Sequence, residues 1–311
     1  MFFRNLKLFR LTDAFPRAGT LADKMNSATL AHCGVMTPKT QGWIPPRKEP
    51  GELLVSVQRQ HYAVLGSEEK VLPGAVVRKH LDEKVKQIEE SQGFKAGRKQ
   101  IRDLKEDVIS ELLAKAFTKH GETSVWFDTQ ARLMGINASS PAKADSVIGH
   151  LKLTLNDLPV APLNLVTPPH VAMTQWLLAG EAPHPFTIDQ DCELREVSKN
   201  GGTIRYTRHS LDGDDIRPHL EAGKRVTKLA LTWNDRVSFV LAEDFSIKRL
   251  SFLDIVKNEA AGEMDGTEDL LEANLAIMAG ELGKMTVDLV AALGGEADEP
   301  ADAGEEQKLA A

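Results

Sequence analysis

The sequence predicts an α+β fold with mixed antiparallel sheets, a long helical hairpin and a C-terminal helix. Three patterns support this prediction. Short runs of apolar and β-branched residues, separated by polar turns, are typical of antiparallel strands. Apolar residues three and four positions apart between Val77 and Lys119 are typical of two helices. A further repeat of this kind near the C-terminus predicts another long helix.

Residues 1–76 and 120–166 are predicted to form a central α+β domain. Pro159–Leu165 is expected to be extended, and Thr167-Pro168-Pro169 to follow as the domain boundary. The strands are expected at Phe2–Leu11, Leu53–Val57, Ala63–Leu65, Ser124–Phe127 and Leu133–Ile136, and the helices at Leu21–Leu30 and Ser139–Leu151.

Residues 77–119 are predicted to form a basic helical hairpin, or arm. Gly93 and Gly97 interrupt two helical apolar patterns, which suits a short connection between antiparallel helices. Pro73 suits the start of the first helix, because its missing N–H would have no helical partner there. The apolar positions are Val77, Leu81, Val85 and Ile88 before the glycines, and Ile101, Leu104, Val108, Leu112 and Leu113 after them.

The second half of the hairpin carries a stripe of bases. Between Lys95 and Lys119 there are seven Lys or Arg residues against four Asp or Glu residues. On this segment alone, interspersed acids favour a solvated face held by i,i+4 ion pairs. The alternative is a surface that lies along a phosphate backbone. The candidate nucleic-acid-binding bases here are Lys95, Arg98, Lys99, Arg102, Lys105, Lys115 and Lys119, and Phe117 lies between the last two.

Residues 167–262 are predicted to form a second α+β domain, with helices at Met173–Leu178 and Leu211–Ala222. Its strands are expected at Thr203–Thr207, Val226–Trp233, Ser238–Ala242 and Ile247–Phe252. Residues 263–295 are predicted to form a C-terminal helix unit, whose helix should run from Thr267 to Leu293. Its 4-3-4-3-4 apolar spacing fits either a core-packing helix or an intermolecular one. Residues 296–311 are expected to be a disordered acidic tail.

A second basic region spans Lys199–Arg249, with ten bases against seven acids. Aromatic side chains between bases can stack on nucleobases, and Tyr206 lies between two arginines. The competing interpretation is a strand with one solvated face, which this region alone favours. The candidate DNA-binding residues here are Arg205, Arg208, Lys224, Arg225 and Lys228, with His209 beside them.

Composition limits the function classes. The net charge of −7 conceals an asymmetry, because Met1–Leu253 carries a net +5 and Asp254–Ala311 a net −12. Such asymmetry is a hint of nucleic-acid binding. The two cysteines, Cys33 and Cys192, offer no metal spacing or disulfide framework, which favours a reducing cytoplasm. A Cys33 nucleophile activated by His32 is conceivable, but a buried structural cysteine fits better.

No enzyme class, cofactor or membrane role is predicted. The sequence contains no glycine-rich nucleotide loop, no histidine pair at metal-ligand spacing and no nucleophile elbow. No apolar run approaches the length of a membrane span. We therefore expect a non-enzymatic protein without a metal site.

The chain resembles the bacterial recombination-associated protein RdgC family from Phe3 to Glu296. Collinear motifs over this length carry the resemblance. They are Phe3-Arg4-Asn5-Leu6 with Arg10-Leu11, Gly42-Trp43-Ile44-Pro45-Pro46, Lys70-Val71-Leu72-Pro73, Ala116-Phe117, Trp126-Phe127-Asp128, Leu158-Pro159-Val160-Ala161-Pro162-Leu163, Gly201-Gly202 with Ile204-Arg205, Glu221-Ala222-Gly223-Lys224 with Val226-Thr227-Lys228-Leu229-Ala230-Leu231, Gly280-Glu281-Leu282, and Leu293-Gly294-Gly295-Glu296.

The resemblance implies a nucleoid-associated protein that binds single- and double-stranded DNA without sequence preference. It implies a ring-shaped homodimer that limits the action of RecA on DNA. Phe117 matches a family phenylalanine linked to DNA contact. Arg208 and His209 stand where a lysine and a glutamine form the family's dimer gate, and His209 departs from the amide.

An alternative from another class is a protein-interaction module. It would inhibit a recombination protein by direct contact through the acidic C-terminus, whose residues 296–311 carry six acids and one base.

Overall fold

A computed structural model describes residues 2–47, 51–196, 201–211, 216–256 and 270–297. It confirms a mixed α+β fold built on antiparallel strands. The strands are β1 Leu6–Leu11, β2 Lys39–Ile44, β3 Leu54–Val57, β4 Gln60–Lys70, β5 Thr118–Asp128, β6 Leu133–Ile136, β7 Val160–Pro162, β8 Phe186–Arg195, β9 Thr203–Tyr206, β10 Arg225–Trp233, β11 Val237–Ala242 and β12 Ser246–Phe252. The helices used below are α1 Ala18–Asn26, α2 Gly74–Gln92, α3 Arg98–Lys115, α4 Pro141–Leu155, α5 Pro169–Ala179, α6 Arg217–Glu221 and α7 Leu270–Ala292.

The strands form one continuous sheet in the order β2-β4-β5-β6-β1-β12-β11-β10-β8-β9, with β3 added on β4 and β7 on β1. The first strand of the chain joins the two halves, because Lys7 is paired with Ile136 of β6 on one side and with Ser246 of β12 on the other. The predicted division at residue 167 stays a prediction, since one sheet runs through both parts.

Two hydrophobic cores lie on opposite faces of the sheet. Successive residues of a strand point to opposite faces. Trp126 therefore packs in the larger core, with α5, α6 and α7, whereas Phe127 packs in the smaller core, with α1 and α4. The smaller core covers its face of the sheet only at strands β1 to β7. Over strands β8 to β12, no described helix packs on that same face, and we call this part the helix-free face.

Helix α7 packs in the core, which decides between the two interpretations of its apolar spacing. Its side chains Leu275, Met278, Leu282, Met285 and Leu289 are buried in the larger core. Polar contacts anchor the same helix. Glu281 pairs with Arg236 (Oε2 to Nε, 2.7 Å), and Asp288 accepts a hydrogen bond from the Trp233 indole at 2.8 Å. The predicted helix start at Thr267 and the tail from residue 298 lie outside the described residues. The predicted tail start at residue 296 was wrong, because Glu296 pairs with Arg10 and the Ala297 N–H donates to the Asn164 carbonyl.

Several predicted boundaries were wrong, and pairing explains the differences. Strand β5 begins six residues before the predicted Ser124. Its first half is polar and exposed, so it lacks an alternating apolar pattern, and the ladder to β4 defines it instead. Strand β8 was missed because its middle is Asp-Gln-Asp and its ladder to β10 is bulged. Helix α6 is shorter than predicted, and residues 212–215 lie outside the described residues.

The buried face of α7 gives a stability prediction. Leu282→Ala should lower the free energy of unfolding by ~2–5 kcal/mol, because it leaves a cavity at a fully buried site. Val287→Ala on the same helix is the control: its side chain is 62 % exposed, so the loss should stay below ~0.5 kcal/mol. Urea denaturation measures both. Equal losses would contradict the placement of α7 in the core.

Candidate nucleic-acid interface

Helices α2 and α3 form an antiparallel hairpin. The predicted arm of residues 77–119 shifts to residues 74–117, because α2 begins at Gly74 and β5 at Thr118, and the name keeps these bounds below. Lys84 pairs with Glu111 at 2.6 Å midway along the arm, and Gln100 donates to Gln92 at 3.1 Å near its tip. Gly93 ends α2 in the left-handed region, at φ 78°. That conformation favours glycine, because it has no Cβ.

The arm has a thin core of its own. Only Val77 of α2, and Val108 and Leu113 of α3, are buried, while the other apolar positions between the helices are half-buried. In the contacts between elements, these helices pack chiefly on each other. The arm therefore stands away from the two main cores, and most of its surface faces solvent.

Strands β4 and β5 hold the root of the arm. They are paired without a break from Gln60 with Asp128 to Lys70 with Thr118. The ladder continues into the arm, since the Val71 N–H donates to the Phe117 carbonyl at 2.7 Å. The Lys70 ammonium also donates to the Leu113 carbonyl at the end of α3, at 2.8 Å. These bonds fix the backbone of Phe117 while its side chain stays 89 % exposed.

The structure places all the arm's candidate residues at the surface, although not all on one helix. Lys95 lies in the loop before α3, because the helix starts only at Arg98. Lys119 belongs to β5 and pairs with Glu69 at 3.2 Å. The remaining exposed candidates are Arg98, Lys99, Arg102 and Lys105 on α3, Lys115 at its last residue, and Phe117 just beyond it.

Most of these bases form no close ion pair within the described part of the chain. Arg102 lies 3.8 Å from Asp103, and this ion pair is exposed. Across residues 51–196, which are described without a gap, no carboxylate lies within 4 Å of the ammonium or guanidinium groups of five others: Lys95, Arg98, Lys99, Lys105 and Lys115. Within this range no i,i+4 ion pair of the stripe comes within 4 Å, although the contact with Lys84 and, to a smaller extent, the charge of Lys115 lower the pKa of Glu111.

The first turn of α3 also carries charge of the unfavourable sign. It contains Arg98 and Lys99 and no acidic residue. The N-terminus of a helix has a partial positive charge, so each nearby cation costs about 0.3–1 kcal/mol. An anion bound beside this turn would offset that cost.

The second basic region is arranged differently, around the buried carboxylate of Glu193. Its Oε2 accepts from Arg205 Nε at 2.8 Å and from Lys228 Nζ at 2.9 Å. Its Oε1 accepts from the buried Thr227 hydroxyl at 2.9 Å and lies 3.5 Å from Arg195. Burial alone would raise the pKa of Glu193, but the hydrogen bonds from Lys228, Arg205 and Thr227 outweigh it and lower the pKa to about 2.

The candidate gate residues follow β9. Arg208 lies beyond the strand with φ 53°, and its backbone N–H donates to Asp191 Oδ1 at 3.0 Å. His209 donates its backbone N–H to the Gln190 carbonyl at 3.1 Å, and its ring lies 5.4 Å from that of Tyr206. Both side chains are exposed. Their assignment to a dimer gate stays a prediction.

The two other candidates lie at the start of β10. Arg225 is its first residue and is exposed, whereas Lys224, just before it, is half-buried. The structure brings Arg205 and Lys228 together on Glu193, and it brings neither Lys224 nor Arg225 into that cluster.

Sequence reasoning missed some exposed groups of both regions. Phe94 lies at the arm tip beside Lys95 and is 66 % exposed. Its position in the sequence, between Gly93 and Lys95, could have indicated an exposed aromatic side chain at the turn between the helices. Arg195 of β8 and Lys248 and Arg249 of β12 lie on the helix-free face of the sheet. Strand alternation could have placed Arg195 there only once β8 was recognised. The consecutive Lys248 and Arg249 share a face because the β11–β12 register shifts beside them and Arg249 has φ 51°, which the sequence did not indicate.

The thiols do not form a reactive site with histidine. His32 Nδ1 contacts Glu68 at 3.1 Å, and the Cys33 thiol contacts the Glu68 carbonyl and the Thr40 hydroxyl. Cys33 is half-buried, so the prediction of a buried cysteine was wrong. Burial and the neighbouring Glu193 raise the pKa of the buried Cys192 thiol to about 12.

Within the described ranges there is neither a metal-binding cluster nor a membrane-spanning helix. Outside the gaps in the description, no group of three or more His, Cys, Asp or Glu side chains could hold a metal ion. Among the described helices, none has the length and apolarity needed to cross a bilayer.

The shifted pKa of Glu193 predicts a pH dependence. Its charged form is favoured in the folded state, so its contribution to stability is present above the ordinary value of 4.5 and is lost as the pH falls towards 2. Glu193→Gln should therefore make the melting temperature fall less steeply between about pH 5 and pH 2. Glu243→Gln, which removes an exposed carboxylate, is the control. If the melting temperature of Glu193→Gln fell with pH as steeply as that of the wild type, the stabilising role of the Glu193 carboxylate would be refuted.

Comparisons with known proteins cover nearly the whole chain. The family model described as "RdgC: Putative exonuclease, RdgC" matches residues 1–296. A Recombination-associated protein RdgC from Janthinobacterium sp. (strain Marseille) is 43 % identical over 299 residues, covering 96 % of this chain and 99 % of the relative. Proteins of the same name from Herminiimonas arsenicoxydans and Ralstonia nicotianae are each 42 % identical over 95 % of this chain, covering 99 % and 96 % of the respective relative. The chain therefore belongs to the RdgC family of recombination-associated proteins.

Proposed function

We propose that this protein binds DNA without sequence preference, encircles it as a ring-shaped homodimer, and limits RecA-dependent recombination. The observation that carries the proposal is the arm, where five exposed bases have no carboxylate within 4 Å among residues 51–196. Lysine and arginine side chains attract phosphates, which are the same in every sequence. Binding of this kind positions a protein on single or double strands without reading bases.

The exposed Phe117 fits the same surface. Its backbone is fixed at the root of the arm, and its ring is available to stack on a nucleobase or to lie against the sugar backbone. Stacking is tolerant of sequence because every base has a flat face. A phenylalanine beside Lys115 and Lys119 is therefore consistent with binding that does not discriminate between sequences.

A homodimeric ring would concentrate the modest positive charge of the body. The first 253 residues carry a net charge of only +5. Two-fold symmetry would repeat each basic surface on the partner. Bases that face one central hole would raise the positive potential there while acids face outward. In this proposal Arg208 and His209 lie at the interface that closes the ring. A ring that occupies DNA in the cytoplasmic nucleoid then obstructs the binding of RecA to that DNA.

Reversing charge on the arm tests the DNA contact. Arg98→Glu with Arg102→Glu should weaken duplex binding by about tenfold or more and flatten the plot of log affinity against log salt by roughly 2. Binding is measured by fluorescence anisotropy, and light scattering should show an unchanged dimer mass.

The matched control carries the same change in net charge at a distance from the arm. Arg17→Glu with Lys152→Glu alters two exposed bases near or on the helices of the smaller core, α1 and α4. We expect this variant to bind almost as wild type does. Unchanged binding by the arm variant, or equal losses in both, would reject the arm as the contact surface.

We also propose that the protein is not an enzyme, although the family model's description names an exonuclease. The relatives are named for recombination and not for a reaction. End-labelled single- and double-stranded DNA should stay full length during incubation with the protein and Mg²⁺ or Mn²⁺. Shortening that tracks the protein through purification, and disappears with a chelator, would overturn this part.

The alternative function uses the acidic C-terminus as a contact for a recombination protein. Glu296 pairs with Arg10, and the Ala297 N–H donates to the Asn164 carbonyl at 3.0 Å, so a cut that preserves the fold begins at residue 298. On our proposal, deletion of residues 298–311 leaves DNA binding and inhibition of RecA-driven strand exchange in place. Loss of inhibition with DNA binding retained would favour the alternative.

A further inference from the structure

We propose that Glu193 is a positioning residue that holds Arg205 and Lys228 in a fixed array for a phosphodiester group on the helix-free face of the sheet. This inference rests on the proposed DNA-binding function and adds to it a second contact surface, distinct from the arm. The ligand is the phosphodiester backbone of a nucleic-acid strand.

The array is built into the pairing of three strands. Glu193 of β8 lies directly opposite Arg205 of β9 on one side and opposite Lys228 of β10 on the other. Side chains that face each other across antiparallel strands are within contact distance. The carboxylate therefore sits between two bases and draws both towards the same point.

A β-bulge completes the binding of the carboxylate. The register between β8 and β10 shifts between Val226 and Lys228. Thr227 lies in this bulge with its hydroxyl buried against Glu193, so both carboxylate oxygens have partners from fixed positions. Glu193 itself is 4 % exposed. A buried and fully bonded carboxylate is suited to orienting its neighbours and cannot itself meet a solvent ligand.

The bases that Glu193 holds still have donors to offer. Arg205 uses its Nε for the carboxylate, and no other described residue hydrogen bonds to its two terminal nitrogens. Its side chain is 72 % exposed. A guanidinium with two free terminal nitrogens can still donate to a phosphate. Holding these side chains beforehand reduces the conformational freedom that binding removes.

Further groups surround the array in a shallow cleft. Lys248 and Arg249 of β12 and the residue Asn5 line it beside Arg205 and Lys228. Asp191 holds Arg249 at 2.9 Å and also accepts the Arg208 N–H, so the cleft adjoins the candidate gate. Four bases against two acids leave the cleft with net positive charge.

The test uses two variants that change the net charge equally. Glu193→Gln and Glu243→Gln each remove one negative charge from the same region, and Glu243 is an exposed partner of Arg195. Charge alone predicts that both tighten DNA binding. Our inference predicts opposite signs: about threefold or more weaker binding and a flatter salt slope for Glu193→Gln, but binding unchanged or up to about threefold tighter for Glu243→Gln.

The outcomes separate this inference from the proposed function. If the wild-type protein does not bind DNA, the proposed function fails. If it binds, and Glu193→Gln tightens binding as Glu243→Gln does, only the positioning role is overturned. Thermal unfolding shows whether Glu193→Gln is folded.

A second variant keeps the test decisive if Glu193→Gln does not fold. Arg205→Gln alters an exposed side chain, so it should fold normally. It should weaken duplex binding at least about threefold and reduce the salt slope by roughly 1. Wild-type affinity and slope in this variant would overturn the inference.

Discussion

The ladder between β4 and β5 is the interaction on which the arm depends. The arm buries only three of its own side chains, which is too little to hold two helices in a fixed direction. The two strands supply that direction, because they enter and leave the arm as paired neighbours. Their backbone hydrogen bonds continue to Phe117, so an exposed aromatic residue and a set of exposed bases are held above only a thin core.

The two basic regions differ in how their positive charges are positioned and partnered. On the arm, five exposed bases have no carboxylate within 4 Å among residues 51–196, so their charge is available but loosely positioned. On the helix-free face, the Glu193 carboxylate fixes Arg205 and Lys228 in place, and its negative charge offsets part of their positive charge. The first arrangement suits attraction of a polyanion from solution, and the second suits a defined contact once the polyanion has arrived.

Much of the fold was predictable where a local pattern matched a local cause. The hairpin followed from apolar periodicity and from Gly93, and α7 from its repeated spacing. Pairing between distant strands was not predictable in this way. The polar first half of β5, the acidic β8 and the bulge at Thr227 are defined by partners far along the chain. For the same reason the sequence placed Arg205 and Lys228 among the candidates but could not show that one carboxylate joins them.

The central claim is that charge holds this protein on DNA and that base identity does not. The most direct test is a salt titration of binding to two duplexes of equal length and unrelated sequence. The account predicts equal affinities and log affinities that fall steeply along parallel lines as log salt rises. Affinities that differ tenfold between the duplexes, or a line that stays flat as salt is added, would contradict it.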